Sequence, residues 1–132
     1  MLISLKPGER IFLNGAVIRV DRKVTIELLN DVAFLMESHV LQVEDTTTPM
    51  RQLYFVVQTM LIEPRKMEAA QAVFTQQLAG LMTSFNNDSM VTALAQVGEL
   101  VEAGRLFEAL RVIRRLFMIE AAILATDAPK AA

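Results

Sequence analysis

The sequence predicts an α+β protein, with an N-terminal antiparallel β-meander followed by a C-terminal bundle of about four helices. Two observations lead to this prediction. Short alternating apolar segments separated by turn residues fill the first third, and after "EDTTTPM" the apolar residues recur every three or four positions. The chain has 132 residues, of which 53% are hydrophobic, so it can bury a substantial core as one unit.

The first 47 residues are predicted to form the β-region. Candidate strands are "LISL", "RIFL", "AVIRV", "VTIEL", "VAFLM" and, last, "HVLQV". Pro7-Gly8 predicts a turn, because proline fixes φ and glycine accepts positive φ. Asn14-Gly15 is a strong signal for a two-residue hairpin. In "AVIRV" the alternation places Val17 and Arg19 on one face of the strand.

Residues 48–125 are predicted to form the helical region. We expect helices over about 49–62, 64–84, 89–103 and 105–125, with a flexible tail over 126–132. Thr48 is a suitable N-cap, with proline at the first helical position. Asp88 or Ser89 is expected to cap the third helix, and Gly104 to end or bend it.

Enzyme chemistry is not expected from this sequence. There is no cysteine, the only histidine is His39, and no phosphate-binding loop or H-E-x-x-H motif occurs. We therefore predict no catalytic residue, no cofactor and no metal site, and interpret His39 as a strand-end or loop residue that makes a hydrogen bond. No apolar run reaches membrane-spanning length and no signal-peptide core is present, which predicts a cytoplasmic protein.

The positive charge is concentrated near the N-terminus. The net charge of the chain is −2, but residues 1–23 contain five basic residues and two acidic ones, which gives +5 − 2 = +3. The basic residues are Lys6, Arg10, Arg19, Arg22 and Lys23. Basic side chains beside turns can follow a phosphate backbone, so we predict RNA contacts here. The alternative is a solvated strand face on which Arg19 pairs with Glu27.

Two features of the last predicted helix leave alternatives open. A second basic cluster, Arg111, Arg114 and Arg115, is either a further RNA surface or a solvated face on which Glu108 neutralises Arg111. Glu120 lies on the apolar stripe, where an unpaired carboxylate is costly. It requires an internal partner, such as an arginine on a neighbouring helix, or a contact in a subunit or partner interface.

Several segments resemble the FlbT family of flagellar regulators. They are "SLKPGERIFLNGAV", "RKVTIELLNDV", "TTPMRQLYF", "QTMLIEP" and "AGRLFEALRVIRRLFMIEAAIL", with a looser likeness over about 65–100. The resemblance implies a post-transcriptional regulator, usually a repressor, that associates with the 5′ untranslated region of flagellin mRNA and affects its translation and decay. It also implies FlaF, a second flagellar regulator, as a partner, and it offers no catalytic residue or cofactor.

The N-terminal segment also resembles the carbon storage regulator CsrA, an RNA-binding β-module, through "MLI", the "GE" turn and "VTIEL". Two functional hypotheses follow. The chain is either an mRNA-binding regulator or a protein-interaction adaptor in flagellum assembly that acts on mRNA indirectly. Short edge strands and surplus apolar residues also predict a homo-oligomer, most simply a dimer.

Overall fold

A computed structural model describes residues 1–127 and confirms the predicted α+β class, with an N-terminal antiparallel strand region followed by four helices. The strands are β1 (Leu2–Leu5), β2 (Arg10–Leu13), β3 (Ala16–Arg19), β4 (Val24–Glu27) and β5 (Phe34–Met36). The helices are α1 (Pro49–Ile62), α2 (Met67–Ser84), α3 (Asp88–Glu102) and α4 (Leu106–Asp127).

The five strands form two small antiparallel sheets. One sheet pairs β1 with β4, and the other has the order β3-β2-β5. Only β2 and β3 are consecutive neighbours, so the chain departs from a simple meander in its strand order. Buried apolar residues from both sheets, Ile3, Leu5, Ile11 and Phe34, form one core. This common core explains why the two sheets stay together without a hydrogen-bonded β3–β4 ladder.

The predicted hairpin at Asn14-Gly15 joins β2 to β3. Both turn residues have positive φ, 49° for Asn14 and 86° for Gly15, as a type I′ turn requires. Leu13 and Ala16 flank the turn as a cross-strand pair. The two-residue connection fixes the register of the whole hairpin.

The prediction of a strand in "HVLQV" was wrong. Two short 3-10 turns occur here instead, over Glu37–His39 and Val43–Asp45. The backbone between them is extended, but its partner is a side chain of α1. The Gln58 amide accepts a hydrogen bond from the N–H of Leu41 and donates one to its carbonyl oxygen, both at 2.8 Å. A helix side chain thus replaces the neighbouring strand.

The helix boundaries agree with the sequence patterns to within a few residues. Thr48 caps α1 as predicted, accepting a hydrogen bond from the N–H of Arg51 at 3.2 Å. A 3-10 turn over Pro64–Lys66 precedes α2. Asn87, rather than Asp88 or Ser89, caps α3, because its side chain accepts from the N–H of Met90 at 3.1 Å.

Two further points concern the C-terminal part of the chain. Gly104 lies between α3 and α4 with a φ of 77°. This positive φ is typical of a glycine that ends a helix, as predicted for this residue. The flexible tail was predicted to begin at position 126, but α4 continues to Asp127. The rest of the predicted tail, 128–132, lies outside the described residues. Within residues 1–127, no helix combines the length and the apolar character needed to cross a membrane.

The helices pack around a second, larger core. It contains buried residues of all four helices together with Leu35 of β5. Phe107, at the start of α4, contacts both cores and stacks on Phe34 with ring centroids 4.6 Å apart. This aromatic pair attaches the strand region to the helical bundle.

Candidate nucleic-acid interface

The register of the strands brings the five N-terminal cations to one end of the β-region. Leu5 lies opposite Val24, and Arg10 lies opposite Arg19. The turn after β1 and the loop between β3 and β4 therefore lie side by side. The N–H of Gly8 donates to the Val20 carbonyl oxygen at 2.7 Å, which joins these two connections. The members of this basic end are Lys6, Arg10, Arg19, Arg22 and Lys23.

Carboxylates neutralise part of the charge at the basic end. Glu9 accepts a hydrogen bond from the backbone N–H of Lys6, Asp21 pairs with Arg22 at 3.3 Å, and Glu37 reaches Arg10. Counting the five cations against these three carboxylates gives +5 − 3 = +2. The region stays positive although the whole chain carries −2. Such a surface attracts polyanions, and the attraction acts mainly at short range because salt screens exposed charges that lie far apart.

The alternative pair between Arg19 and Glu27 is not formed within the described residues. Arg19 ends β3 and Glu27 ends β4, two strands that belong to different sheets and run in opposite directions. Their two side chains thus lie at opposite ends of the β-region. Neither Arg19 nor Lys23 takes part in an ion pair among residues 1–127. Both charges remain available to an external anion.

The second basic cluster is divided between the interior and the surface of α4. Arg114 is half-buried and donates to the hydroxyl oxygen of Tyr54 at 3.0 Å. Arg111 is exposed, with its guanidinium 5.3 Å from the centre of the Phe107 ring, and Arg115 is exposed one turn further on. Arg114 therefore has a packing role in addition to its charge.

The predicted pair of Glu108 with Arg111 is wrong, because Glu108 pairs with Arg105 at the start of α4. Arg111 instead lines a cleft together with Met1 and Leu29. These two residues lie at the end of the β1–β4 sheet that is remote from the basic end. The two basic clusters are consequently separate surfaces, which mutations can test independently.

His39 ends the 3-10 turn that follows β5, and its hydrogen bond is made by its backbone. Its carbonyl oxygen accepts a hydrogen bond from the Tyr54 hydroxyl at 2.6 Å, whereas its ring Nδ1 has no partner among residues 1–127. Burial, and secondarily the positive charge of Arg114, lower the pKa of His39 below its ordinary value of 6.5. The hydrogen bond predicted for this residue is therefore made by the main chain.

Glu120 has an internal partner, but the partner is not an arginine. The side chain is almost completely buried, and its Oε2 accepts a hydrogen bond from the backbone N–H of Met50 at 2.8 Å. Met50 lies in the first turn of α1, where N–H groups lack partners within the helix and the helix dipole favours negative charge. Glu120 thus stabilises the N-terminus of α1 through a contact within the chain.

The sequence analysis missed Glu37 as a neighbour of the basic end. It follows β5 directly, and the pairing of β5 with β2 brings it beside Arg10, 27 positions away in the chain. Only the long-range pairing shows this proximity, so no local pattern could have identified it. Across residues 1–127, no group of three histidine, aspartate or glutamate side chains could hold a metal ion. The chemistry that this surface offers is anion binding.

Comparison with known proteins identifies relatives over almost the whole chain. The model of the family described as "Flagellar protein FlbT" matches residues 1–124. A "Probable flagellum biosynthesis repressor protein FlbT" of Brucella anthropi is 54% identical over 127 residues, covering 96% of this chain and 84% of the relative. The protein of the same name in Brucella ovis is 57% identical over 125 residues, covering 95% and 82%. No solved structure matches. The chain belongs to the FlbT family of flagellar proteins.

Proposed function

We propose that this protein is a post-transcriptional regulator that represses flagellin synthesis by binding the 5′ untranslated region of flagellin mRNA. Membership of the FlbT family and the repressor names of its relatives support a role in flagellar regulation. The observation that carries the RNA part of the proposal is the convergence of five cations at one end of the β-region. In this proposal the bound RNA is single-stranded or looped, and its translation and decay change when the protein binds.

The contact is mainly with phosphates. The basic end has only one nearby aromatic side chain, Phe12, and that ring is already half-buried against the helical core. Extensive base stacking is therefore not expected, and positive charge supplies most of the affinity. If about four of the side chains each neutralise a phosphate, log affinity should fall against log salt with a slope near −3, from roughly −0.7 per contact.

The test is binding of the purified protein to a flagellin leader RNA and to a scrambled RNA at several salt concentrations. Replacing Arg22 and Lys23 with alanine should flatten the salt slope by about one to two units. Both side chains are exposed in the β3–β4 loop, so the fold should persist. A matched control replaces Arg65 and Lys66, two exposed cations before α2, and should leave the slope unchanged. An unchanged slope in the folded double variant would move the site to the second basic cluster.

A second candidate function is that of an adaptor, which the surface of α4 favours. Met118 is 83% exposed, and Ile119 and Leu124 are about two-fifths exposed on the same helix. Exposed apolar side chains in one region are typical of protein-binding surfaces. In this alternative α4 binds a protein partner, which we propose to be FlaF, and the effect on mRNA is indirect. Absence of RNA affinity, with and without FlaF, would favour the adaptor.

A further inference from the structure

The hairpin of β2 and β3 places two arginines directly opposite each other. Because the turn has two residues, Leu13 and Ala16 form a hydrogen-bonded pair and the pairs alternate from there. Arg10 and Arg19, three positions further along, form a non-hydrogen-bonded pair, the kind in which cross-strand side chains lie closest. Like charges in this position repel each other. An anion close to both guanidinium groups would therefore reduce this repulsion.

Glu37 supplies such an anion to Arg10 but not to Arg19. Its Oε1 accepts from Arg10 Nε at 2.9 Å, and its Oε2 accepts from the backbone N–H of Arg10 at 3.1 Å. Arg19 has no hydrogen-bond or ion-pair partner among the described residues. One of the two opposed guanidinium groups is thus neutralised internally, and the other faces solvent.

The Glu37 carboxylate accepts a hydrogen bond from the Arg10 guanidinium, as a phosphate oxygen could. Arginine binds carboxylates and phosphates with the same planar set of N–H donors. The pair is about half exposed, with 47% of the Arg10 side chain and 38% of the Glu37 side chain accessible. Exposed ion pairs are weak, so a phosphate that also contacts Arg19 can replace the carboxylate. Its hydrogen bonds with Arg10 lower the pKa of Glu37 from 4.5, so the carboxylate is ionised at neutral pH.

We propose that Arg10 and Arg19 together bind one backbone phosphate of RNA, and that Glu37 competes with this phosphate for Arg10. The proposal rests on the proposed function and assigns distinct tasks to Arg10, Arg19 and Glu37. Glu37 sets the affinity from within the protein, since RNA must displace it to use both arginines. Val17 is 57% exposed on the same face as Arg19, where it could contact the nucleotide beside this phosphate.

The decisive variant is Glu37→Gln. The amide oxygen can still accept from the Arg10 N–H, so the fold should persist, but the competing charge is removed. We expect the affinity for flagellin leader RNA to increase about twofold to fivefold, which corresponds to the loss of a weak exposed pair. Arg19→Ala should weaken binding and flatten the salt slope by about 0.7. As a matched control, Glu27→Gln removes an exposed carboxylate at the far end of β4 and should leave affinity unchanged.

A double variant separates competition from a general change of charge. In an Arg10→Ala background, Glu37→Gln should no longer increase affinity, because the group for which the carboxylate competes is absent. An equal increase in both backgrounds would show that Glu37 acts only through long-range repulsion of RNA, and this would overturn the proposal. Circular dichroism and thermal unfolding of each variant identify any loss of fold.

NMR of the arginine Nε–H groups tests the site without RNA. Inorganic pyrophosphate should shift the Arg10 and Arg19 signals, and at lower concentration in Glu37→Gln. If these signals shift but leader RNA does not bind, the anion site stands and the proposed function fails. If RNA binds the parent and Glu37→Gln equally well, the proposed function stands and the competition fails. If neither ligand has an effect, both fail.

Discussion

Tyr54 connects three parts of the molecule through one hydroxyl group. The hydroxyl donates to the His39 carbonyl oxygen and accepts from Arg114, while the ring packs edge-on against Phe117 at 5.5 Å. Burial raises the pKa of Tyr54 above 10, although the hydrogen bond from Arg114 opposes the shift. The hydroxyl therefore stays protonated at neutral pH and can act as donor and acceptor at once.

The same contacts predict how stability depends on pH through His39. Burial and Arg114 lower the pKa of His39 in the folded protein, so the unfolded chain takes up a proton first as the pH falls. The stabilisation is complete above about pH 6.5 and is lost as the pH falls from 6.5 through the folded pKa. Urea unfolding of the parent and of His39→Gln between pH 8 and pH 5 measures this effect. Identical pH profiles for the two proteins would contradict it.

At the scale of elements, α4 completes the N-terminus of α1. Pro49 has no N–H, Glu120 accepts from Met50, Thr48 accepts from Arg51 through its side chain, and its carbonyl accepts from Gln52. The first turn of α1 therefore has a partner for every N–H group that it contains. One of these partners comes from a helix 70 positions later in the chain. The orientation of α4 along α1 is fixed by this contact as well as by apolar packing.

Removing the Glu120 carboxylate should destabilise the protein. Glu120→Ala leaves a buried N–H without a partner, which costs about 1–3 kcal/mol in the free energy of unfolding. Glu120→Gln retains an acceptor oxygen and should lose less. Chemical denaturation measures both, with Glu102→Ala, an exposed carboxylate at the end of α3, as the control. Equal stability of Glu120→Ala and the parent would disprove the capping role.

The elements differ in how far the sequence could predict them. Helix α1 agrees with the sequence prediction because Thr48, Pro49 and the helical period are all local signals. The segment after β5 could not be predicted in this way, because Gln58 supplies the hydrogen bonds that a strand would have supplied. The five cations were visible in the sequence, but the contact between Arg10 and Glu37 depends on the long-range pairing of β2 with β5.

On the scale of the whole molecule, two cores share Phe107, and exposed apolar side chains lie on two elements that a second chain could cover. One is the edge strand β3, all of whose residues are exposed, and the other is the second half of α4 around Met118. Edge strands and exposed apolar helices are commonly covered by a second copy of the same chain. We propose that the dimer predicted from the sequence covers one of these two surfaces.

We therefore expect sedimentation to give twice the mass of one chain at micromolar concentrations. Ile18→Asp on β3 and Met118→Asp on α4 place a charge at each of the two surfaces. The substitution on the surface that forms the dimer should produce monomers, because burying an unpaired carboxylate is costly. The substitution on the other surface serves as the control. A monomer mass for the parent at micromolar and higher concentrations would refute the expectation of a dimer.

The hydrogen bond between Glu120 and Met50 also has a consequence for biosynthesis. Ribosomes make proteins from the N-terminus, so α1 emerges 70 residues before the side chain that completes its first turn. The strands and the basic end, in contrast, lie entirely within the first 37 residues. We expect the strand region with its basic end to be made while the helical bundle is still incomplete. A nascent chain that stops before Glu120 should expose the apolar face of α1 to chaperones and proteases.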